Sequence, residues 1–443
     1  MATSTTASSR AAVRPSNRLV IPQGPRPCRD LLSLPRVTDT PLRPYNGRRI
    51  LLGVSGGIAS YKTAWLARLL GKAGAEVDVV LTRAATEFIG AVTFEALTGR
   101  PVHTGLFDAG RALDHIHLAR SADAVVIAPA TADLMARAAT GQADDLLTAC
   151  LLATESPVLM VPAMNDRMWA HAQVQSNAAR LRELGYRLLD PDDGLLAAGE
   201  GSGPGRMPEP ETIFAHVGRL LETESTLRGR SVLVTGGPTR EAIDPVRFIS
   251  NHSSGRMGAE IASAAWRRGA EVTLVAGPMT VPVPPGVTHV PVESTEEMRH
   301  AVARHLPQAE VVVMSAAPAD YRPAEQASSK LKKTGSGRTL ELHETPDILR
   351  STIARRRQGA VVVGFALETD DLLANARKKL ESKSLDMVVL NSANEAGAGF
   401  AVETNRVTIL RRGAAAPEEL PLLHKREVAD AILDRVEELL DGR

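Results

Sequence analysis

The strongest constraint on this chain is a pattern that occurs twice. Arg49-Ile50-Leu51-Leu52-Gly53-Val54 is a short apolar run that ends in Ser55-Gly56-Gly57 and opens a helical pattern through Ala64, Leu66, Leu69 and Leu70. Ser231-Val232-Leu233-Val234-Thr235 ends likewise in Gly236-Gly237. The spacing between copies is nearly constant: Val54 and Val234 lie 180 positions apart, Val77 and Val272 lie 195 apart, and Val125 and Val312 lie 187 apart. Two copies of one strand-and-helix grammar therefore follow each other, and the 15 extra positions place an insertion at residues 238–253 of the second copy. Further apolar runs at Glu76–Thr82, Ala124–Ala128 and Pro157–Val161 each precede a helical segment. Strands alternating with helices predict a parallel sheet covered on both faces, so the expected fold is α/β, with two consecutive doubly wound domains at 48–228 and 229–443. The first is expected to finish in a helix that ends around Arg228, after a Gly-, Pro- and acid-rich stretch near 194–211.

Composition narrows the partners. The 443 residues carry 52 Lys and Arg against 51 Asp and Glu, and 3% are aromatic, which gives neither a phosphate-backbone footprint nor a base-stacking platform. Nucleic acid is not expected as a partner. The apolar runs stop after seven or so residues, well short of the roughly 18 that span a bilayer, so no membrane span is expected either. Two cysteines, Cys28 and Cys150, make no disulfide framework and suit a reducing cytoplasm. Residues 1–47, with seven Arg, two Asp, many Ser, Thr and Pro and no apolar period, read as a disordered leader outside the fold.

In doubly wound sheets, ligands bind beyond the carboxyl ends of the strands. The residues that follow each apolar run are accordingly the candidates: Ser55-Gly56-Gly57, Thr82, Pro129 to Asp133 and Pro162 to Asn165 in the first domain, and Thr235 to Arg240, Ser315 to Asp320, Gly364 to Thr369 and Asn391 to Asn394 in the second. Neither glycine turn is a G-x-G-x-x-G fingerprint, and Asp78 stands mid-strand where a ribose-binding acid would stand at the end. A mononucleotide is therefore expected in preference to NAD. Residue by residue, plainer readings remain open. His115, beside Asp114, is either an oriented imidazole or a solvent-exposed histidine at a helix start. Asn165 is either a ligand-facing amide or a helix cap. Lys330-x-Lys332-Lys333 is either a loop that closes on polyphosphate or a solvated surface loop.

In combination these segments resemble the bifunctional phosphopantothenoylcysteine decarboxylase / phosphopantothenate-cysteine ligase family of coenzyme A biosynthesis, over essentially residues 48–440. In the first domain the resemblance rests on Gly56-Gly57-Ile58-Ala59-Ser60-Tyr61-Lys62, His115-Ile116-x-Leu118-Ala119, Ala128-Pro129-Ala130-Thr131-Ala132-Asp133-Leu134, Pro162-Ala163-Met164-Asn165 and Gly203-Pro204-Gly205-Arg206-Met207. In the second it rests on Thr235-Gly236-Gly237-Pro238-Thr239-Arg240, Asp244-Pro245-Val246-Arg247, Ile249-Ser250-Asn251-His252-Ser253-Ser254-Gly255-x-Met257-Gly258, Ala316-Ala317-x-Ala319-Asp320-Tyr321-Arg322, Lys330-x-Lys332-Lys333 and Gly364-Phe365-Ala366-x-Glu368-Thr369.

For the first domain the resemblance implies FMN-dependent decarboxylation of 4'-phosphopantothenoylcysteine. Loss of CO2 from a cysteine carboxylate leaves a carbanion with no electron sink, and oxidation of the neighbouring CH2–SH to a thioaldehyde creates one. By motif, His115 is the catalytic histidine, Asn165 holds the substrate carboxylate, and Ser55, Gly57, Ile58, Thr82 and Thr131 hold FMN. One departure stands out: many relatives carry a proton-donating cysteine in the flap before Gly-x-Gly-Arg-Met, whereas here Leu196 to Gly203 contains none. Either another donor, Glu200 or water, completes the reduction, or this domain is slow or impaired; Cys150 reads as a buried small hydrophobe.

For the second domain the resemblance implies ligation of 4'-phosphopantothenate to cysteine with CTP through an acyl-cytidylate, and Mg2+ as the counter-charge for the triphosphate. Asn251 then stabilises the acyl-cytidylate, Lys330 contacts the nucleotide phosphates, and Asp320 binds the nucleotide. Ser315, Ala316, Pro346, Asp347, Ile348, Leu349, Phe365, Lys379 and Lys383 take the remaining CTP positions. The resemblance also implies a homo-oligomer, with trimeric decarboxylase domains, dimeric ligase domains and a dodecamer when fused. Two rivals are a monofunctional ligase with a structural flavin domain and a non-catalytic flavin-binding interaction protein.

Overall fold

The computed structural model describes residue 1 and residues 42–107, 112–199, 201–333, 338–368, 372–392, 402–414 and 416–443. The first sheet has six strands, β1 (Arg49–Val54), β2 (Glu76–Leu81), β3 (Val102–His103), β4 (Ala124–Ala130), β5 (Val158–Pro162) and β6 (Arg187–Leu188), in the order 3-2-1-4-5-6. Every pairing is parallel. Its alternation has two sides because both faces are buried. Ile50, Leu52 and Val54 face one core with Val79, Val126 and Val161, while Leu51 faces the other with Val80, Ile127 and Met160. Helices α1 (Ser60–Lys72) and α2 (Ala91–Thr98) cover the first face; α3 (Asp114–Ser121), α4 (Ala132–Thr140), α5 (Leu146–Ala153) and α7 (Ala172–Glu183) cover the second, with short α6 (Asp166–Ala170) at the sheet edge.

A flap hairpin, β7 (Asp192–Leu195) with β8 (Ser202–Arg206), then leads to α8 (Pro210–Leu221), which returns Ile213, Val217 and Leu220 to the first core. The sequence reading carried this helix to about Arg228, but it ends at Leu221. The Arg228 guanidinium folds back to donate to the Glu222 and Thr223 carbonyls at 2.8 and 3.0 Å, satisfying groups that a longer helix would have paired internally. The boundary expected at residue 48 also shifts, since ordered structure is described from residue 42. Residues 42–47 form a turn, and Tyr45, 1% exposed, stacks on Phe214 at 4.3 Å within the first core. One aromatic side chain in a Pro- and Arg-rich stretch carries no period that a sequence can show.

The second sheet repeats the first and extends it. Its strands are β9 (Ser231–Gly236), β12 (Glu271–Ala276), β13 (Thr288–Pro291), β14 (Val311–Met314), β17 (Val361–Glu368), β18 (Met387–Ser392), β20 (Val407–Arg411) and β21 (Glu418–Glu419), in the order 13-12-9-14-17-18-20-21. The first six run parallel in the same 3-2-1-4-5-6 arrangement, and β20 and β21 close the edge antiparallel. Helices α9 (Arg256–Arg267) and α13 (Lys425–Asp441) pack on one face, α10 (Thr295–His305), α11 (Ile348–Ser351) and α12 (Leu372–Ser382) on the other. The insertion forms a hairpin, β10 (Arg240–Ala242) with β11 (Phe248–Ser250). Two small antiparallel pairs complete the domain, β15 (Tyr321–Pro323) with β16 (Leu342–Glu344), and β19 (Thr404–Asn405) with β22 (Leu423–His424).

Helix α8 joins the two sheets. Arg219 donates to the Trp266, Gly269 and Ala270 carbonyls at the end of α9, where a cation is favoured. Arg268, 1% exposed, pairs with Asp430, Asp434 and Glu437 of α13, and Arg267 pairs with Glu222 and Asp430. No helix among the described residues is long and apolar enough to cross a membrane.

Candidate active sites

Each sheet carries a cleft beyond the carboxyl ends of its central strands, where the strand order reverses. The first, of about 560 Å3, lies between the β1–α1 turn, the β4–α4 and β5–α6 loops and the flap. Gly57, Ile58, Thr131 and Asn165 line it, together with Tyr61, Phe88, Met164, Met168 and Leu195, so the walls are mostly apolar. Gly56 is required by close approach: a Cβ there would lie 2.4 Å from that of Ala84. Two expected residues stand behind the wall. Ser55 is 2% exposed; its hydroxyl donates to the Pro129 carbonyl at 2.8 Å and accepts from the Thr131 amide at 3.0 Å, clamping the β1 turn to the β4 loop. Thr82, 6% exposed, accepts from the Ala85 amide and shapes the turn after β2.

Asn165 caps α6, its Oδ1 accepting from the Arg167 amide at 2.9 Å, so the cap reading and a place on the cleft wall hold together. Lys62, part of the first motif but given no role by the sequence, is buried and donates to the Met207 carbonyl at 2.7 Å and to Glu209 at 3.1 Å, tying α1 to the base of the flap. His115 does not line this cleft. It sits half-buried in the first turn of α3 on the other face of the sheet, and its buried Nδ1 has no hydrogen-bond partner. Asp114 instead meets Nδ1 of His103 at 3.0 Å. One chain therefore does not bring His115 and Asn165 into one cavity. Of the flap, Leu195, Leu196 and Ala197 reach the cleft, and Glu200 lies outside the described residues. Burial pushes the Cys150 thiol up to about 12, with Asp145 and Asp114 adding to the rise.

The second cleft, of about 360 Å3, is lined by Asn251 after β11, Ser315, Ala316 and Asp320 after β14, Phe365 of β17 and Lys379 of α12. Asn251 Nδ2 donates to the Ala317 and Pro318 carbonyls at 3.2 and 2.9 Å, fixing the insertion against the β14 loop. Ser315 donates to the Thr235 carbonyl at 2.6 Å. Gly258 lets α9 cross β9, since a Cβ there would come within 2.8 Å of the Gly236 Cα. Lys379 donates to the Phe365 carbonyl at 2.5 Å. Pro346, Asp347, Ile348, Leu349 and Lys383 do not line the cleft. Ile348 and Leu349 are core residues, and Asp347 caps α11 and pairs with Lys383 at 2.8 Å. Burial works to raise the Asp347 carboxyl, but Lys383 and the Arg350 amide bring it below the usual range.

Lys330 is exposed and outside this cleft. Its segment is nevertheless anchored: Asp244 accepts from the Leu331 amide at 3.1 Å, and Arg247 donates to the Leu331 carbonyl at 2.8 Å. Asp244 also takes the Arg247 guanidinium and the Val246 and Arg247 amides, and the guanidinium foremost holds its carboxyl well below the usual carboxylate range. Among the described residues no group of three or more His, Cys, Asp or Glu is placed to hold a metal.

Two doubly wound domains, each with its own small-molecule cleft at the switch point, define a two-centre α/β enzyme. Residues 39–222 match the family model described as flavoprotein, and residues 227–440 match that of the DNA/pantothenate metabolism flavoprotein C-terminal domain. The chain is 44% identical over 398 residues to the coenzyme A biosynthesis bifunctional protein CoaBC of Vibrio vulnificus, covering 89% of this chain and 98% of that one. It is 45% identical over 412 residues to CoaBC of Mycobacterium tuberculosis, covering 89% and 97%. A crystal structure of the C-terminal domain of a CoaBC shares 41% identity, with a TM-score of 0.42 over 49% of this chain and 100% of that one. This chain belongs to the family of bifunctional coenzyme A biosynthesis proteins, enzymes that join a flavoprotein decarboxylase domain to a ligase domain.

Proposed function

We propose that the second domain joins 4'-phosphopantothenate to cysteine, using CTP through an acyl-cytidylate, and that the first decarboxylates the 4'-phosphopantothenoylcysteine so formed with FMN. The observation that carries this reading is the pair of separate clefts, one mostly apolar and one polar, each lined by residues of its own family motif. The residues of the first cleft suit FMN: Ile58, Met164, Met168 and Leu195 offer apolar surface to a flat ring, and the Gly56-Gly57 turn that opens α1 lines the same cavity. When bound there, FMN would accept a hydride from the substrate's CH2–SH, so that the resulting thioaldehyde takes up the electron pair left behind by CO2, and would give the hydride back to the enethiol so formed. The chain supplies the rest. Asn165 holds the substrate carboxylate, the flap covers it from water, and Glu200 or water donates the proton that a flap cysteine would have given.

Since His115 stands away from this cleft, its role requires a second copy of the chain to bring it to the flavin. The exposed apolar residues Ile58, Tyr61, Phe88 and Val92 suit such a contact, which supports a homo-oligomer with a trimeric decarboxylase core and dimeric ligase domains. In the second cleft Asp320 holds the nucleotide, Asn251 the acyl-cytidylate, and Lys330 reaches the phosphates from its anchored segment. Mg2+ accompanies the triphosphate. The proposed location is the cytoplasm, whose reducing conditions suit the free Cys150.

The test is a coupled assay on the full chain with 4'-phosphopantothenate, cysteine, CTP and Mg2+, following pyrophosphate and CO2 separately, with the native mass measured by light scattering. Both products are expected. Pyrophosphate without CO2 would leave a ligase fused to a structural flavin domain.

A further inference from the structure

The ligase cleft has a wall that these roles leave unused. Lys425, the first residue of α13, lines it while only 4% exposed, and its amide donates to the Glu403 carbonyl at 2.9 Å. Arg256, the first residue of α9, and Lys379 line the same cavity, so three cations face a space whose lining among the described residues holds one carboxylate, Asp320, with Glu403 3.7 Å from Arg256. Burial first, and Arg256 second, push the Lys425 ammonium down to about 8, against the pull of Glu260.

Two further features point the same way. Helix α9 begins at Gly255, a left-handed N-cap; the Ser253 and Ser254 hydroxyls accept from the Gly255 and Arg256 amides at 3.3 and 3.4 Å, and the positive end of the 12-residue helix faces the cavity beside Arg256. Asn405 is 1% exposed and lines the cleft; its Nδ2 bonds Asn391 Oδ1 at 3.0 Å, while its own buried Oδ1 has no partner. A buried acceptor without a donor costs about 1–3 kcal/mol, which a ligand hydroxyl or amine removes on binding.

We propose that Lys425, with Arg256 and the first turn of α9, forms a phosphate-binding wall of the ligase cleft, and that Asn405 Oδ1 accepts a hydrogen bond from the ligand seated there. The inference rests on the ligase reading and deepens it. The ligand chemistry is a phosphate carried with a hydroxyl or amine donor, and both CTP and 4'-phosphopantothenate answer to it. The β19–β22 pairing holds the wall together, since Thr404 is registered with His424, immediately before Lys425.

Steady-state ligation by the full-length Lys425→Met protein decides between the two ligands. The KM of one phosphate-bearing substrate should rise roughly tenfold or more while the KM of cysteine stays within twofold, since a hydrogen bond to a charged group is worth at least that factor. A rise in the KM of CTP places the triphosphate on the wall; a rise in that of 4'-phosphopantothenate places the terminal phosphate there. Lys425→Arg should restore most of the loss, and Asn405→Asp, which adds a negative charge to the same wall, should raise the same KM. CO2 release from supplied 4'-phosphopantothenoylcysteine reports whether each variant is folded, and if Lys425→Met is not, the other two variants carry the test. Unchanged KM values for both phosphate substrates, or an equal rise for cysteine, would overturn the proposal. Failure of the ligase reading itself looks different, because the wild-type protein would then release no pyrophosphate. In that case calorimetry with inorganic tripolyphosphate and inorganic phosphate still tests the wall: weaker binding of either by Lys425→Met supports it, and equal binding of both refutes it.

Discussion

Asn165 shows how one side chain serves structure and site at once. Its Oδ1 caps α6, and a carboxylate at that position caps equally well. Asn165→Asp should therefore change stability by less than about 0.5 kcal/mol. Because it would replace the amide donor that Asn165 is proposed to offer the substrate carboxylate with a negative charge, CO2 release should fall about 100-fold or more. Pyrophosphate release should be unaffected, which separates this outcome from general damage. Cys150 illustrates the converse, a reactive residue type made inert by its place. It is fully buried in α5 with its thiol pushed up to about 12, so almost none is thiolate at pH 8. In a Cys28→Ser protein, dithionitrobenzoate should label no thiol until denaturant is added; rapid labelling of the native protein would reopen Cys150 as a stand-in for the flap cysteine.

At the scale of elements, the β10–β11 hairpin is an anchor for a distant segment. The Asp244 carboxylate sits in its turn and gathers the Val246, Arg247 and Leu331 amides with the Arg247 guanidinium, so the backbone next to Lys330 is held from 87 residues away. Asp244→Ala strands these donors and releases the segment. Ligation should fall about 10- to 100-fold, as expected when a reacting group loses its position, with decarboxylation unchanged. The pH dependence has a definite sign. A carboxyl held below its ordinary value contributes fully above about pH 4 and loses its contribution only as pH falls further. Asp244 accordingly should add no limb to the ligation profile between pH 5 and 8, and a limb in that range removed by Asp244→Ala would contradict the anchor.

Over the whole molecule, the seam between the two sheets is where acid should act. His216 of α8 meets the Trp266 edge at 4.9 Å, and burial first, then Arg219 and Arg187, push its imidazole down to about 4. The folded protein thus holds it neutral while the unfolded chain titrates near 6.5. Its contribution to stability is complete above pH 6.5, is lost as pH falls from there towards 4, and changes no further below that. His216→Phe should retain the edge contact and flatten this part of the profile, raising Tm at pH 5 by roughly 3 °C relative to wild type while leaving Tm at pH 8 within about 2 °C. A parallel acid dependence in both proteins would assign the effect to other groups of the seam, such as Glu222, whose carboxyl burial raises.

Much of this protein follows from local pattern. A strand that ends in paired glycines and enters a helix, written twice 180 residues apart, determines two doubly wound sheets, because alternating apolar faces can be buried only between two helical layers. The same rule puts candidate residues at strand ends, and Thr131, Asn165, Asn251 and Asp320 do line the clefts. What the tertiary structure decided is everything that depends on contacts distant in sequence. Tyr45 enters the core only through Phe214, and Ser55 faces the β4 loop and not the cavity. His115 lies on the far face because α3 packs on α5. Lys425 reads in sequence as an ordinary charge at a helix start. It becomes part of a cleft because β22 pairs with β19 and turns the N-terminus of α13 towards that of α9, a choice set by long-range pairing that no local period records.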